Sequence, residues 1–447
     1  MKLIIRFFAL IALLAPSGSL AADDVFRHSR TVVLGNVMAV AEDKMRTAVS
    51  WLGDRGNTDV APALILALRY NRPLSAEISH TLSQITGHTG AKTWFDWMLW
   101  LEENSQIVPH PSYQQIKLET LTQVDSNFAR FLPLSRDARI RPEEVVWGGV
   151  AVDGIPALTN PVQSDADAAD YLIPGELVFG IEINGDARAY PLRIMDWHEM
   201  LNDVIGGVPV SLAYCTLCGS GILFDTGVDG FDEPLVFGSS GLLYRSNKLM
   251  FDRNTDSLWN QFTGQPVSGP LAARDMELKM LPVTITSWRQ WRAAHPDTRV
   301  LSLDTGHVRD YSLGGPYGHY FGSPDLMFPA LADGKDRPLK DYVFGIRAVG
   351  GAKAWPLEDF RTQPVINDTV GTTNVVLIGN VITRTVRAFE RGDLAFERAA
   401  PKGALTADGE TWEITEAALV NSSGEKLARV AGHVAFWFAW SAFVGSE

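Results

Sequence analysis

The tetrapeptide Val178-Phe179-Gly180-Ile181 returns 165 residues later as Val343-Phe344-Gly345-Ile346. The same offset aligns the segment Ala187-Arg188-Ala189-Tyr190-Pro191-Leu192 with Ala352-Lys353-Ala354-Trp355-Pro356-Leu357. Self-similarity at a fixed offset is the mark of a duplicated structural unit. The sequence therefore predicts two modules of common origin.

The secondary structure of these modules is indicated by their turns. From about Arg141 onward, short alternating apolar runs are separated by pairs such as Asp153-Gly154 and Asn184-Gly185. Such pairs favour the tight turns of β-hairpins. We predict two related β-rich modules, over residues 141–310 and 335–447.

The chain before the modules has a different pattern. Residues 23–135 contain apolar residues at helical spacing, for example Trp94, Trp97 and Leu101. This part is predicted to be a helical (HEAT-like) region. The predicted fold class is therefore α+β, with an N-terminal helical region followed by the two β-rich modules.

The first 22 residues are typical of a secretory signal peptide. Lys2 and Arg6 precede a short apolar run, and Ser19-Leu20-Ala21 supplies small residues for cleavage. We expect a periplasmic or secreted protein with no transmembrane segment after signal cleavage.

The charge of the chain argues against some classes of binding partner. The formal net charge is −13 and the isoelectric point is about 5.2. An acidic chain without a basic run is a poor match for nucleic acid or an anionic membrane surface. The expected partner is an unknown small molecule or a protein.

Both cysteines of the chain lie in one C-x-x-C, within Ala213-Tyr214-Cys215-Thr216-Leu217-Cys218-Gly219. Such a pair binds a metal, cycles as a redox pair or forms one local disulfide. At the offset of 165, Cys215 and Cys218 align with Asn380 and Thr383. The second module thus lacks the thiols, which places any chemistry in the first.

A metal site is the leading hypothesis. His198 precedes the cysteines by one hairpin, so Cys215, Cys218 and His198 are the predicted ligands. Thiolate and imidazole suit copper or zinc. A water, Glu199 or His319 is the candidate fourth ligand.

Catalysis follows if one coordination position stays open. Glu199 or Asp252 then serves as general base or orients a ligand. The pair Asp252-Arg253 is a candidate to face the substrate, with an ordinary ion pair as the alternative.

Two other functions remain open from the sequence. The first is a thiol–disulfide oxidoreductase that uses the C-x-x-C directly, although no thioredoxin-like βαβ pattern surrounds it. The second is a non-enzymatic binding or scaffold protein in which Cys215 and Cys218 form a structural disulfide.

The segment 141–360 resembles the bacterial domain-of-unknown-function family numbered 3179. The resemblance implies an exported or membrane-associated bacterial protein and brings no activity with it. It is carried, in order and spacing, by residues 147–150, 153–158, 198–199, 202–203, 214–220, 240–244, 252–253, 257–259, 269–270, 309–311 and 316–317.

Overall fold

The computed structural model describes residues 17–332, 334–335, 337–399 and 404–445, with side chains from residue 23 onward. The apolar run of the predicted signal peptide, residues 3–16, lies outside this part, so export remains a prediction. The chain divides into two compact units, Met1–Thr120 and Leu121–Glu447.

The described residues form ten α-helices: α1 Ser17–Leu34, α2 Glu42–Asp54, α3 Ala61–Tyr70, α4 Ser75–Thr86, α5 Trp94–Glu103, α6 Tyr113–Thr122, α7 Leu192–His198, α8 Trp288–Ala294, α9 Gly318–Gly322 and α10 Trp437–Phe443.

They also form these strands: β1 Val145–Trp147, β2 Leu158–Thr159, β3 Gln163–Asp165, β4 Leu177–Ile183, β5 Asp186–Pro191, β6 Met200–Ile205, β7 Val208–Cys215, β8 Ser220–Asp225, β9 Phe237–Tyr244, β10 Asn247–Asp252, β11 Leu258–Asn260, β12 Gln265–Ser268, β13 Met280–Leu281, β14 Thr284–Ser287, β15 Arg299–Leu301, β16 Tyr342–Ala348, β17 Gly351–Pro356, β18 Val365–Val370, β19 Thr373–Asn380, β20 Thr385–Glu390, β21 Glu397–Arg398, β22 Ala404–Ala407, β23 Glu410–Ile414, β24 Ala418–Asn421, β25 Lys426–Val430 and β26 His433–Phe436.

Helices dominate the first unit, as the sequence predicts, and local signals set their ends. Gly87 closes α4 in a left-handed conformation with φ of 74°. Thr93 and Asp96 form a capping box that starts α5. Trp97 is fully buried, and its indole donates to Ser79 at 3.0 Å. Among the described residues, no helix is long and apolar enough to cross a bilayer.

The second unit is built from sheets, which confirms the α+β class. Three five-stranded sheets have the orders β1-β9-β10-β11-β12, β13-β8-β7-β6-β2 and β14-β4-β5-β15-β3. A three-stranded sheet, β17-β16-β26, and an eight-stranded sheet, β18-β19-β20-β25-β24-β23-β22-β21, complete the described strands.

The sequence repeat is also a repeat of elements. Strands β4 to β8 reappear as β16 to β20 at the offset of 165 residues, with nearly identical spans. The pairing repeats too, because Thr284 of β14 lies opposite Gly180 as His433 of β26 lies opposite Gly345. The two segments are therefore copies of one structural unit.

A glycine–tryptophan contact sits at the centre of each copy. A Cβ atom at Gly180 would overlap the ring of Trp291, and one at Gly345 would overlap the ring of Trp440. Both tryptophans are fully buried. The bare glycine backbone thus lets each ring lie directly on its strand.

Both copies also contain an asparagine clamp, in which one asparagine side chain exchanges two hydrogen bonds with the backbone of a later residue. The Asn202 side chain exchanges two hydrogen bonds with the Phe237 backbone, both at 2.9 Å. Asn367 makes the same pair of bonds to Phe396, both at 2.8 Å. Each asparagine therefore joins a strand of its module to a segment that follows later in the chain.

The two copies share one hydrophobic core. Phe179 and Tyr214 of the first copy belong to the same buried cluster as Phe344 and Phe360 of the second. Burial of such aromatic side chains contributes a large part of the stability of a core. The copies are accordingly parts of a single compact unit.

We predict that Gly180→Ala destabilises the second unit, because the new methyl group forces the Trp291 ring off its strand. Overpacking of this kind costs about 1–3 kcal/mol. Urea denaturation followed by tryptophan fluorescence measures the change. The control is Gly175→Ala, where no atom lies within 4 Å of the new Cβ and the backbone is unstrained; it should stay within about 0.5 kcal/mol of wild type.

Candidate functional site

The two cysteines flank one tight turn. Strand β7 ends at Cys215, the 3₁₀ turn Thr216–Cys218 follows, and β8 then runs back antiparallel. Gly219 leaves this turn with φ of 57°, in the left-handed region. A Cβ atom on Gly219 would lie only 3.0 Å from the Tyr342 ring. Glycine thus meets both a backbone and a packing requirement at this position.

The thiols lie side by side in the interior. Their Sγ atoms are 2.8 Å apart, and the residues are 2% and 0% exposed for Cys215 and Cys218 respectively. Burial, followed by the neighbouring Cys215 thiol, raises the pKa of Cys218 well above its ordinary value. The Asn247 amide opposes this shift by donating to the Cys218 sulfur at 3.2 Å.

Glu199 lies against the same turn. It ends α7 in a left-handed conformation with φ of 55°, which is uncommon outside glycine and recurs at functional sites. Its Oε1 accepts hydrogen bonds from Thr216 at 2.8 Å and Tyr317 at 3.2 Å. Its Oε2 pairs with the Lys248 ammonium at 2.9 Å. The structure therefore places the predicted Glu199 beside Thr216, one of the two residues between the cysteines.

Lys248 is one of the site residues that sequence reasoning missed. It lies in the apolar strand β10 and is 3% exposed. A lysine is almost never fully buried unless it is paired. Its position ahead of Leu249-Met250-Phe251 was therefore a usable signal, although the pattern alone does not identify Glu199 as its partner.

The buried side-chain amides of Asn247 and Gln261 also contact the residues around the cysteine turn. Asn247 donates to the Gln261 side chain at 2.8 Å, and Gln261 donates to the Ala213 carbonyl at 2.8 Å. These residues are also absent from the predicted site. Their role depends on the meeting of β7 with the β10–β11 hairpin, which has no short sequence signature.

His198 does not face the sulfurs. Its Nδ1 lies 2.8 Å from the Pro156 carbonyl, and its Nε2 lies 2.6 Å from the Tyr311 hydroxyl. The carbonyl can only accept, so the neutral ring donates from Nδ1 and accepts at Nε2. Burial lowers the pKa of His198 to about 4, and the charges of His307 and Arg309 act in the same direction.

Asp252 and Arg253 lie in hydrogen-bonded surroundings of their own. Asp252 accepts from the Trp259 indole at 2.8 Å and from the Thr255 backbone at 2.6 Å. Arg253 forms a two-pronged pair with Asp153, at 2.8 and 2.9 Å. The contacts of Asp252 lie within the β10–β11 hairpin, the pair of Arg253 joins this hairpin to the segment between β1 and β2, and none of these contacts reaches the thiol turn.

The remaining candidate ligand, His319, lines a surface cavity of about 510 Å³ beside Trp197. Among the side chains that the structure describes, no three histidine, cysteine, aspartate or glutamate groups converge to hold a metal ion. The structure places Cys215 and Cys218 in contact and Glu199 against the neighbouring Thr216, and it gives His198 other partners. The metal site thus remains a prediction.

The fold and the site define an α+β protein with two related β modules and a buried thiol pair in the first module. The family of proteins of unknown function DUF3179 matches residues 152–447, about two thirds of the chain, and the protein belongs to this family. No curated protein and no solved structure matches the chain.

We predict that Lys248→Met strongly destabilises the protein, because it leaves the Glu199 carboxylate buried without its cation. Loss of one partner of a buried pair costs about 3–5 kcal/mol. Urea denaturation measures the loss, and the double variant Glu199→Gln/Lys248→Met should recover much of it. Lys353→Met, which breaks the more exposed pair with Asp368, is the control and should cost less than about 1 kcal/mol. Equal losses of stability in Lys248→Met and Lys353→Met would contradict this prediction.

The buried neutral His198 predicts a pH dependence of stability. Its folded pKa of about 4 lies below the ordinary value of 6.5, so the unfolded chain binds a proton more readily. The stabilisation is complete above about pH 6.5 and is lost as the pH falls toward 4. The free energy of unfolding should therefore fall more steeply over this range in wild type than in His198→Gln. Parallel curves for the two proteins would show that His198 does not contribute.

Proposed function

We propose that the first module carries a dithiol that cycles between two thiols and a disulfide. The observation that carries this proposal is the contact of Cys215 with Cys218, at 2.8 Å between sulfurs, while His198 is engaged elsewhere. Thiols in contact need little movement to form a disulfide. The predicted export, to an oxidising compartment, favours this chemistry.

The reaction is an exchange with an external disulfide. One protein thiolate attacks a sulfur of that disulfide, and the other sulfur leaves as the first thiol. The attacked sulfur is then joined to the protein in a mixed disulfide. The second cysteine then attacks the protein sulfur and releases the other thiol. Two electrons and two protons pass from the pair to the external disulfide, which is reduced to two thiols.

The surroundings suggest an order of attack. The raised pKa of Cys218 makes it a poor first nucleophile at neutral pH. We assign the first attack to Cys215, the slightly less buried thiol, and the second step, which resolves the mixed disulfide, to Cys218. The Asn247 amide supports the second step, because its hydrogen bond to the Cys218 sulfur stabilises the thiolate.

The second module argues against a structural disulfide alone. Its turn Val381–Thr383 has the same 3₁₀ form between β19 and β20, without a cysteine. The Asn380 side chain accepts from the Ile382 backbone there, at 3.0 Å. The turn thus forms without a disulfide, and this favours a chemical role for the thiols of the first module.

A copper or zinc site is the second proposal. Two soft sulfur ligands share one buried turn, and thiolates suit Cu(I) or zinc. The raised pKa of Cys218 means that binding must displace a proton. His198 would join as a ligand only after giving up its bond to Tyr311 or Pro156.

A redox titration tests the first proposal. The full chain is equilibrated in buffers of reduced and oxidised dithiothreitol, quenched with acid, and alkylated under denaturing conditions, and its free thiols are counted by intact mass. We expect one transition from two free thiols to none, and no such intramolecular transition in Cys215→Ser or Cys218→Ser. Asn380→Ser, the matched position in the second module, should titrate as wild type. Two free thiols at every ratio would refute the redox function.

The same protein, purified without a histidine tag, then tests the metal proposal. Reduced protein is dialysed with Cu(I) or Zn(II), and bound metal is measured by mass spectrometry. Binding of one metal per chain by wild type, and its absence in Cys215→Ser, would support this function. Absence of bound metal in His198→Gln as well would make His198 a ligand. Failure of the reduced protein to bind either metal would rule it out.

A further inference from the structure

We infer that residues 311–323 form a removable cover over the thiol turn, held closed by the hydroxyl groups of Tyr317 and Tyr320. The inference rests on the proposed function only in assigning the cover a purpose, namely control of how external disulfides reach Cys215 and Cys218.

The cover contacts the turn directly. The Tyr320 hydroxyl donates to the Leu217 carbonyl at 2.7 Å, within the segment that joins the two cysteines. The Tyr317 hydroxyl donates to Glu199, which itself accepts from Thr216. The Tyr320 hydroxyl thus bonds to the turn itself, and the Tyr317 hydroxyl is linked to the turn through Glu199.

The duplicated module shows the turn without this cover. Leu217 is 7% exposed, whereas Ile382, its counterpart at the offset of 165, is 83% exposed. The two turns share the same 3₁₀ form and the same flanking strands. The difference in exposure therefore arises from what lies on top of the turn rather than from the turn itself.

The cover is built to detach from the sheets. It contains no strand, its short helix α9 spans only Gly318–Gly322, and Gly314 precedes it with φ of 93°. Lys340 acts as a latch: its ammonium donates to the carbonyls of Tyr320 and Ser323 and lies 3.6 Å from the centre of the Tyr320 ring. These contacts act together with the bonds of Tyr311 to His198 and Arg193 and with the packing of Tyr311 and Tyr320 against buried residues.

The closed cover limits the reactivity of the thiols. Both cysteines are almost fully buried, and a thiolate must approach the disulfide sulfur directly for exchange to occur. An external reagent therefore reacts only while the cover is open. The rate of thiol reaction should report the opening equilibrium, whereas the equilibrium between dithiol and disulfide in a given redox buffer should change much less.

The test is the rate at which iodoacetamide alkylates the reduced, native full chain. Tyr320→Phe removes the hydrogen bond to Leu217, and Lys340→Met removes the latch. One hydrogen bond contributes about 0.5–1.5 kcal/mol, so Tyr320→Phe, which loses one, should react roughly two to twelve times faster than wild type. Lys340→Met loses two such bonds and should be accelerated at least as much. Tyr171→Phe is the matched control, because its hydroxyl also donates to a backbone carbonyl, that of Leu301; it should react at the wild-type rate.

Alkylation through global unfolding is recognised by its dependence on urea. Low concentrations of urea should barely change the rates of Tyr320→Phe and Lys340→Met if the cover opens locally. Wild-type rates in both variants, or faster reaction in Tyr171→Phe as well, would overturn the inference. Alkylation needs only free thiols, so the rates can be interpreted even if the redox titration fails. Conversely, unchanged alkylation rates would not contradict the redox proposal.

Discussion

The packing of a tryptophan ring on a bare glycine backbone is the constraint on which each module depends. Trp291 lies on Gly180 and Trp440 lies on Gly345, and both rings come from a helix that follows the strand paired to that glycine. A side chain at either glycine would push the helix away from its sheet. The contact therefore sets how closely helix and sheet approach in both copies.

The duplication separates scaffold from chemistry. Both modules keep the glycine–tryptophan contact and the asparagine clamp, and both form a 3₁₀ turn at the same place. Only the first module has Cys215 and Cys218 in that turn, together with the buried pair of Glu199 and Lys248. A fold that forms without these groups in one copy is free to carry them for function in the other.

Much of the fold was readable from the sequence because its signals are local or periodic. The repeat at 165 residues predicted the paired elements, and the spacing of Trp94, Trp97 and Leu101 predicted a helix where α5 lies. The site was harder to predict. Glu199 lies beside the cysteine turn, whereas His198 turns to Pro156 and Tyr311. Nothing in the local pattern specifies which way that ring rotates, because its partners are distant in the chain.

The sequence by itself determined the α+β class, the duplication and the confinement of the thiols to one copy, since each of these follows from residue type and spacing. Only the tertiary structure decided what surrounds the thiols. Lys248 meets Glu199 across 49 positions, and Tyr320 meets Leu217 across 103. Such contacts arise when separate strands and loops pack together, and burial then selects the partners that satisfy each polar group.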